Sequence, residues 1–168
     1  FIDTFTQNIE ERNVVFIDQT LKDLHEADVA NLIENLSPDT RTKLFEIESF
    51  NIDPEIFIEL NESIQSEVLQ LLSIESLIKI IRRLESDNAI KILENLSKEI
   101  KEKVLEKLPP KDKFLLQEGL SYPEDSAARI MQREFTAVPN NWTVGQTIDY
   151  LREEKDLPEE FLEIFIVD

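Results

Sequence analysis

Carboxylates are the side chains of this sequence that could do chemistry. Residues 44–78 contain no lysine or arginine, and Glu55, Glu59 and Glu62 within them are spaced i, i+4 and i+7. That spacing would place the three acids on one face of a helix that continued so far. Carboxylate oxygens suit Mg²⁺ or Ca²⁺, and Mg²⁺ often needs only one or two of them beside its waters. The stretch therefore indicates a cation-binding surface or, alternatively, a solvated acidic face.

The signatures of catalysis are missing from the sequence. There is no cysteine nucleophile, no glycine-rich phosphate loop and no G-x-S-x-G, and His25 is the single histidine. One histidine cannot form a metal site or a catalytic dyad by itself, so we expect His25 to serve in a turn or as a helix cap. We therefore expect a protein that is not an enzyme.

The net charge of −18 restricts the partners. Phosphate binding needs a basic surface, so nucleic acid is excluded as a partner, and anionic membrane surfaces are disfavoured for the same reason. Multivalent cations and basic protein surfaces remain. No apolar run approaches the ~20 residues that a membrane-spanning helix needs. The absence of cysteine fits a reducing compartment.

A twelve-residue repeat must position these acids. Two further columns lie eight and nine residues after each mark of the leading leucine column, and each unit closes at the next mark. With the closing marks at 36 to 120, the three columns have 24 positions, of which 22 are apolar. Glu48 and Gln117 are the exceptions. A fixed period over eight units indicates a repeat architecture. The leading column is Leu24, Leu36, Leu60, Leu72, Leu84, Leu96, Leu108 and Leu120.

The phase of the columns predicts helices. At about 100° per residue, the three positions fall within one stripe of an α-helix, whereas a strand would scatter them over both faces. Ser, Asp and Pro residues between the stripes are typical helix starters. Helices of two or three turns are unstable alone, so neighbouring units must stabilise them. We predict a mainly α fold, a right-handed, armadillo-like superhelix of short helices.

The chain is expected to divide into three parts. Residues 1–120 would form the helical-repeat domain, with 1–12 frayed or disordered, and Gly119 would end the last repeat helix as a left-handed cap. A connecting helix would follow over 121–133. The pattern then changes to strand, helix and strand across residues 134–168. Two strands and one helix cannot enclose a core, so we expect this second domain to be incomplete.

Four segments carry a resemblance to a known family. Residues 122–131 read YPEDSAARIM, followed by FTAVP at 135–139 and WTV at 142–144, and residues 24–30 read LHEADVA. These segments resemble the MgtE family of magnesium transporters. In that family a Y-P-E-D-S-A-G-x-x-M segment joins a cytoplasmic N domain to a pair of CBS (cystathionine β-synthase type) domains. Ala128 stands where the family usually has glycine, and Glu26 where it has proline.

The resemblance implies a cytosolic Mg²⁺ sensor. Residues 134–168 would be a truncated α/β fragment, the start of the first CBS domain. The full protein would be an integral membrane protein, a homodimer whose pore is held shut by Mg²⁺ between its N and CBS domains. Aligned by the leucine repeats, the metal-binding carboxylates of the family fall on Asp87 and Glu55. Asp87 could also serve as a helix N-cap.

Two further expectations concern the junction after the repeats and the function of the helical array. The chain would pivot near residues 119–133 relative to the CBS half. The alternative function is a helical-repeat protein-interaction module related to the flagellar motor switch protein. The CBS-like start at 142–168 argues against that alternative.

Overall fold

The computed structural model describes residues 1–48, 52–133, 135–154, 157 and 163–168. This part of the chain is mainly helical and contains one two-stranded sheet, which confirms the predicted helical class. The elements are α1 (Ile2–Glu10), α2 (Val14–Asp23), α3 (Glu26–Glu34), α4 (Pro38–Glu48), α5 (Glu55–Glu59), α6 (Glu62–Leu71), α7 (Ile74–Ile81), α8 (Ser86–Glu94), α9 (Lys98–Lys107), α10 (Pro110–Ser121), α11 (Ala127–Ile130), β1 (Thr136–Pro139), α12 (Val144–Glu153) and β2 (Ile164–Val167).

The helix starts follow the twelve-residue period. From α2 to α10 every helix except α5 begins at a multiple of twelve residues from Val14. At most of these starts the preceding residue supplies the reason, because its polar side chain accepts a hydrogen bond from an amide of the first turn. Such caps are made by Asn13, Asn61, Ser73 and Ser97. His25 Nδ1 accepts from the amide of Ala27 at 3.4 Å, so the predicted capping role of this histidine is confirmed.

The apolar columns form the core. The column eight residues after each leucine mark is buried throughout, with no member more than 4% exposed. Several helices pack against the helix two places along the chain, as α3 does on α5, α4 on α6, α7 on α9 and α8 on α10. The hand of the superhelix and its likeness to armadillo repeats stay predictions. The buried column is Leu32, Leu44, Ile56, Val68, Ile80, Ile92, Val104 and Leu116.

The start of the chain differs from its prediction. Residues 1–12 were expected to be frayed, but α1 is a helix whose Phe5 and Ile9 are fully buried. The two side chains lie one turn apart and enter the core between α2 and α4. A single pair of apolar residues does not form a recognisable repeat in the sequence, although its burial is enough to pack α1 against the array.

The junction after the repeats also differs. Helix α10 continues to Ser121, and none of the described glycines has a positive φ, so Gly119 is not a left-handed cap. Its role is spatial, because a Cβ at this position would overlap Cδ1 of Ile90 and lie 2.8 Å from Nη1 of Arg133. The connecting helix expected over 121–133 is only the single turn of α11. The division into domains itself stays a prediction.

The strand, helix and strand predicted after the junction are present. Strands β1 and β2 are parallel, with Thr136 opposite Ile164, and α12 connects them. Thr143 and Gln146 form a capping box at the start of α12. Strand β1 ends at Pro139. None of the described helices is long and apolar enough to cross a membrane.

Truncating Leu72 should destabilise the protein far more than truncating its neighbour Leu71. Leu72 belongs to the leucine column and is buried, whereas Leu71 is 41% exposed. We expect Leu72→Ala to lower the free energy of unfolding in urea by about 2–5 kcal/mol. The matched Leu71→Ala should change it by less than about 1 kcal/mol. Equal losses from the two variants would contradict the assignment of the column to the core.

Replacing Gly119 should also destabilise the fold. Alanine is favoured over glycine in a helix by about 1 kcal/mol, so without a clash Gly119→Ala would gain stability. We expect it to lose stability in urea denaturation because of the overlap with Ile90. Ile90→Val removes the overlapping methyl group, so the double variant should lose less than the two single losses combined. A stabilised Gly119→Ala would show that α8 and α10 are not in close contact here.

Candidate metal centre

Acidic side chains occupy the first turns of α3, α5 and α8. Glu26 opens α3, Glu55 opens α5, and Asp87 is the second residue of α8. Carboxylates are stabilised there because the amide groups at a helix N-terminus carry partial positive charge. Asp53 lies just before α5, and Glu85 lies just before α8. We call these five residues, Glu26, Asp53, Glu55, Glu85 and Asp87, the acidic site.

The irregular position of α5 is what brings the site together. A regular unit would begin a helix at residue 50, but α5 begins at Glu55 and has five residues. The break coincides with Glu48, the one non-leucine of the leading column. The side chain of Asp53 accepts a hydrogen bond from the amide of Glu55 at 3.1 Å and so sets the new start. Helix α5 then packs against both α3 and α8.

Glu55 is at the electrostatic centre of the acidic site. Its pKa is raised above the ordinary value, first because burial disfavours the charged form and then because of four neighbouring carboxylates. The described hydrogen-bond donor to its side chain is Asn88 Nδ2, at 3.4 Å from Oε2. The neighbours that raise the pKa, in decreasing order, are Glu85, Asp53, Asp87 and Glu26.

Asp87 has a carboxylate oxygen available for a cation. Its Oδ1 is buried, and no donor among the described residues reaches it. On another side, Asp87 borders a cavity of about 250 Å³ in which three acids face three bases. Positive and negative side chains are equal in number in that cavity, whereas the described charged groups that act on Glu55 together with Asp87 are all acidic. The cavity is lined by Asp87, Ile90, Lys91, Glu94, Lys101, Glu124, Arg129 and Ile130.

The two residues expected at the metal site lie in one electrostatic neighbourhood. Asp87 is not a helix N-cap, because the cap position of α8 is Glu85. Glu59 and Glu62 do not join Glu55 on one face, since α5 ends at Glu59 and Glu62 opens α6. Helical spacing from Glu55 was therefore the wrong basis for finding its partners.

The sequence prediction missed Glu26, Asp53 and Glu85. In the sequence Glu26 stands out only as a departure from the proline of the resembled family, which concerns a helix cap and does not indicate a metal site. Nothing in the sequence shows which distant acids meet, because this depends on how α5 packs. Among the residues that the structure describes, no group of three or more acids or histidines could hold a metal alone. A cation here would need further oxygen atoms from water or from another surface.

Comparison with known proteins connects this chain to magnesium transport. Residues 24–125 match the family described as the MgtE intracellular N domain. No curated protein matches the chain.

Two solved structures share the fold of the chain. One is the cytosolic domain of the Mg²⁺ channel MgtE in complex with ATP, with 22% identity and a TM-score of 0.83. The other is the soluble part of a magnesium transporter, with 20% identity and a TM-score of 0.76. The alignments cover 100% and 99% of this chain, and 69% and 66% of those chains. At such identity they establish the fold alone.

Neutralising Glu55 should stabilise the protein at neutral pH. Because the pKa of Glu55 is higher in the folded chain than in the unfolded chain, its ionisation costs stability as the pH rises. We expect Glu55→Gln, which keeps an acceptor for Asn88, to raise the melting temperature by about 1–3 °C at pH 7. The gain should vanish as the pH falls through this raised pKa and below the ordinary value for glutamate.

The control for this experiment is Glu59→Gln, which removes an exposed charge from the other end of α5. It should leave the melting temperature nearly unchanged. A Glu55→Gln variant that is less stable than the wild type at pH 7 would contradict the like-charge description of the acidic site.

Proposed function

Because the chain belongs to the family of MgtE intracellular N domains, we propose that it is the cytosolic regulatory region of a magnesium transporter. The intracellular description of the family agrees with the predicted cytosolic location of this region. The matched residues 24–125 include the whole acidic site. The family is not one of enzymes. The single observation that supports Mg²⁺ sensing is that four carboxylates lie close enough to Glu55 to raise its pKa.

Asp87 and Glu55 would be the protein ligands of the regulatory ion. The donor set fits Mg²⁺, a hard cation that takes oxygen ligands and keeps much of its water shell. The buried Oδ1 of Asp87, which no described donor reaches, is the best-prepared ligand atom. Glu26, Asp53 and Glu85 would act on the ion through their charge. An isolated N domain should therefore hold Mg²⁺ mostly through water and with low affinity.

Regulation would arise from the repulsion between acidic surfaces. We infer that the acidic site faces carboxylates of the CBS pair in the full-length homodimer. At low Mg²⁺ the two surfaces repel and separate, whereas a bound ion bridges them and shifts the population toward the packed state. The packed state would hold the membrane pore shut. Intracellular Mg²⁺ would in this way limit its own transport.

The alternative of a protein-interaction module has less support. A module related to the flagellar motor switch protein would need the helical array alone. Here the array is followed by the parallel β1–α12–β2 unit, and the chain belongs to a family of transporter domains. An interaction module would also give no reason to gather five like charges at three helix starts.

A protease-protection titration tests this function on the protein extended through its CBS pair. Mg²⁺ is varied at constant ionic strength, and the wild type should become protected as Mg²⁺ rises. Asp87→Asn should shift the midpoint to higher Mg²⁺ by about tenfold, which corresponds to about 1.4 kcal/mol of binding free energy. Glu55→Gln should shift it in the same direction.

The control is Glu99→Gln, because Glu99 is an exposed acid on α9 that pairs with Lys103 at 2.6 Å, away from the acidic site. Its midpoint should equal that of the wild type. If Asp87→Asn and Glu55→Gln both follow the wild-type curve, the acidic site is not where Mg²⁺ acts.

A further inference from the structure

The segment between α10 and β1 is held by buried arginines. Arg129, on the one-turn helix α11, has a side chain that is only 8% exposed. Its Nη1 donates to the carbonyl oxygens of Gly119 and Tyr122, at 3.0 and 3.3 Å, at the C-terminal end of α10. Its Nε donates to Oε1 of Glu94, on α8, at 2.6 Å. One side chain thus joins α11, α10 and α8.

Arg133 fastens the end of the same segment. Its backbone amide donates to Oγ of Ser86 at 3.1 Å, and its Nη2 donates to the carbonyl oxygen of Ala128 at 3.4 Å. The guanidinium lies 5.5 Å from the ring centroid of Tyr122. Ser86 is buried and immediately precedes Asp87 in the first turn of α8. The chain that leads into β1 is therefore attached to the helical turn that carries Asp87.

The hydrogen bonds of Arg129 resemble those of Arg41, a residue inside the helical array. Arg41 is also buried, and its Nη1 donates to carbonyl oxygens at the C-terminal end of α3, including that of Leu36 at 2.9 Å. Its Nε and Nη2 donate to both carboxylate oxygens of Glu67 on α6. In each case an arginine closes the end of one helix and pairs with a glutamate of another. The junction, by which we mean residues 122–133, is thus attached to the array by the same kind of contact that joins helices within the array.

The β1–α12–β2 unit is not packed in this way. Helix α12 buries none of its residues, and the strand β2 is exposed throughout. Thr136 and Val138 of β1 are buried, but Val138 lies outside the apolar core that the repeat helices share. Among the described residues, the hydrogen bonds that attach this part of the chain to the array are those of Arg129 and Arg133.

We propose that residues 122–133 are a fixed extension of the helical array, held by Arg129 and Arg133 as positioning residues. Turning of the β1–α12–β2 unit against the array takes place beyond Arg133, and not within the pivot expected at 119–133. The start of β1 is thereby tied through Ser86 to the turn that bears Asp87. A Mg²⁺ ion bound at Asp87 would act directly on this tie. Only this consequence rests on the proposed function.

Spin labels can test the fixed junction directly, because the sequence contains no cysteine and labelled cysteines can be placed at will. One label replaces the exposed Gln70 at the end of α6, and the second replaces the exposed Asp125 of the junction or Arg152 of α12. We expect a single narrow distance distribution between positions 70 and 125, with or without Mg²⁺. A broad or Mg²⁺-dependent distribution for this pair would overturn the proposal.

Arg129→Gln should broaden the distribution between positions 70 and 125, whereas Arg82→Gln, which breaks an exposed pair with Asp112, should not. An unchanged distribution in Arg129→Gln would overturn the role of Arg129. If Arg129→Gln loses its helical circular dichroism, Glu94→Gln is measured in its place. A broadened distribution then supports the role of Arg129, and an unchanged one overturns it.

Amide exchange tests the tie to α8. Ser86→Ala should make the amide of Arg133 exchange about tenfold faster while the amides of α10 keep their rates. Unchanged exchange at Arg133 would overturn the tie. None of these measurements needs the chain to respond to Mg²⁺, so a failed Mg²⁺ titration and a failed junction are separate results. The pair at positions 70 and 152 reports whether Mg²⁺ moves the β1–α12–β2 unit.

Discussion

The burial of one apolar stripe per helix against neighbouring helices is the interaction on which this structure depends. None of the repeat helices that the structure describes is longer than about three turns, so none would be stable alone in water. Because each stripe returns every twelve residues, each helix begins at the same phase and presents its polar first turn in the same way. The packing that stabilises the fold therefore also sets where charged side chains are displayed.

One irregular unit turns this regular display into a candidate site. At Glu48 the leucine column is interrupted, and the next helix begins at Glu55, between α3 and α8. The partial positive charge at three helix N-termini offsets part of the repulsion among the carboxylates gathered there. The pKa of Glu55 is nevertheless raised, first by burial and then by the repulsion from its four acidic neighbours. A divalent cation that binds here would relieve a cost already present in the fold.

Much of the fold could be predicted from the sequence, because the twelve-residue columns encode both burial and helix starts. Asp87 came from the family resemblance alone, whereas Glu55 was indicated both by the resemblance and by its spacing from other acids; the role of both residues in binding remains a proposal. Glu26 and Glu85 could not be found, since they meet Glu55 only through the packing of α5 against α3 and α8. Helix α1 and the junction were mispredicted because they depend on single contacts of Phe5, Gly119 and Arg129. Such contacts do not recur every twelve residues, so the repeat pattern does not reveal them.

The most direct test of the acidic site is paramagnetic broadening of backbone amide signals by Mn²⁺, used in place of Mg²⁺ at low concentration. Mn²⁺ takes the same oxygen ligands and broadens the signals of nearby amides. We predict broadening confined to the first turns of α3, α5 and α8, around residues 26–28, 53–56 and 85–88, and its reversal by excess Mg²⁺. Broadening spread evenly over all acidic helices, or centred on α4 and α6, would contradict cation binding at the acidic site.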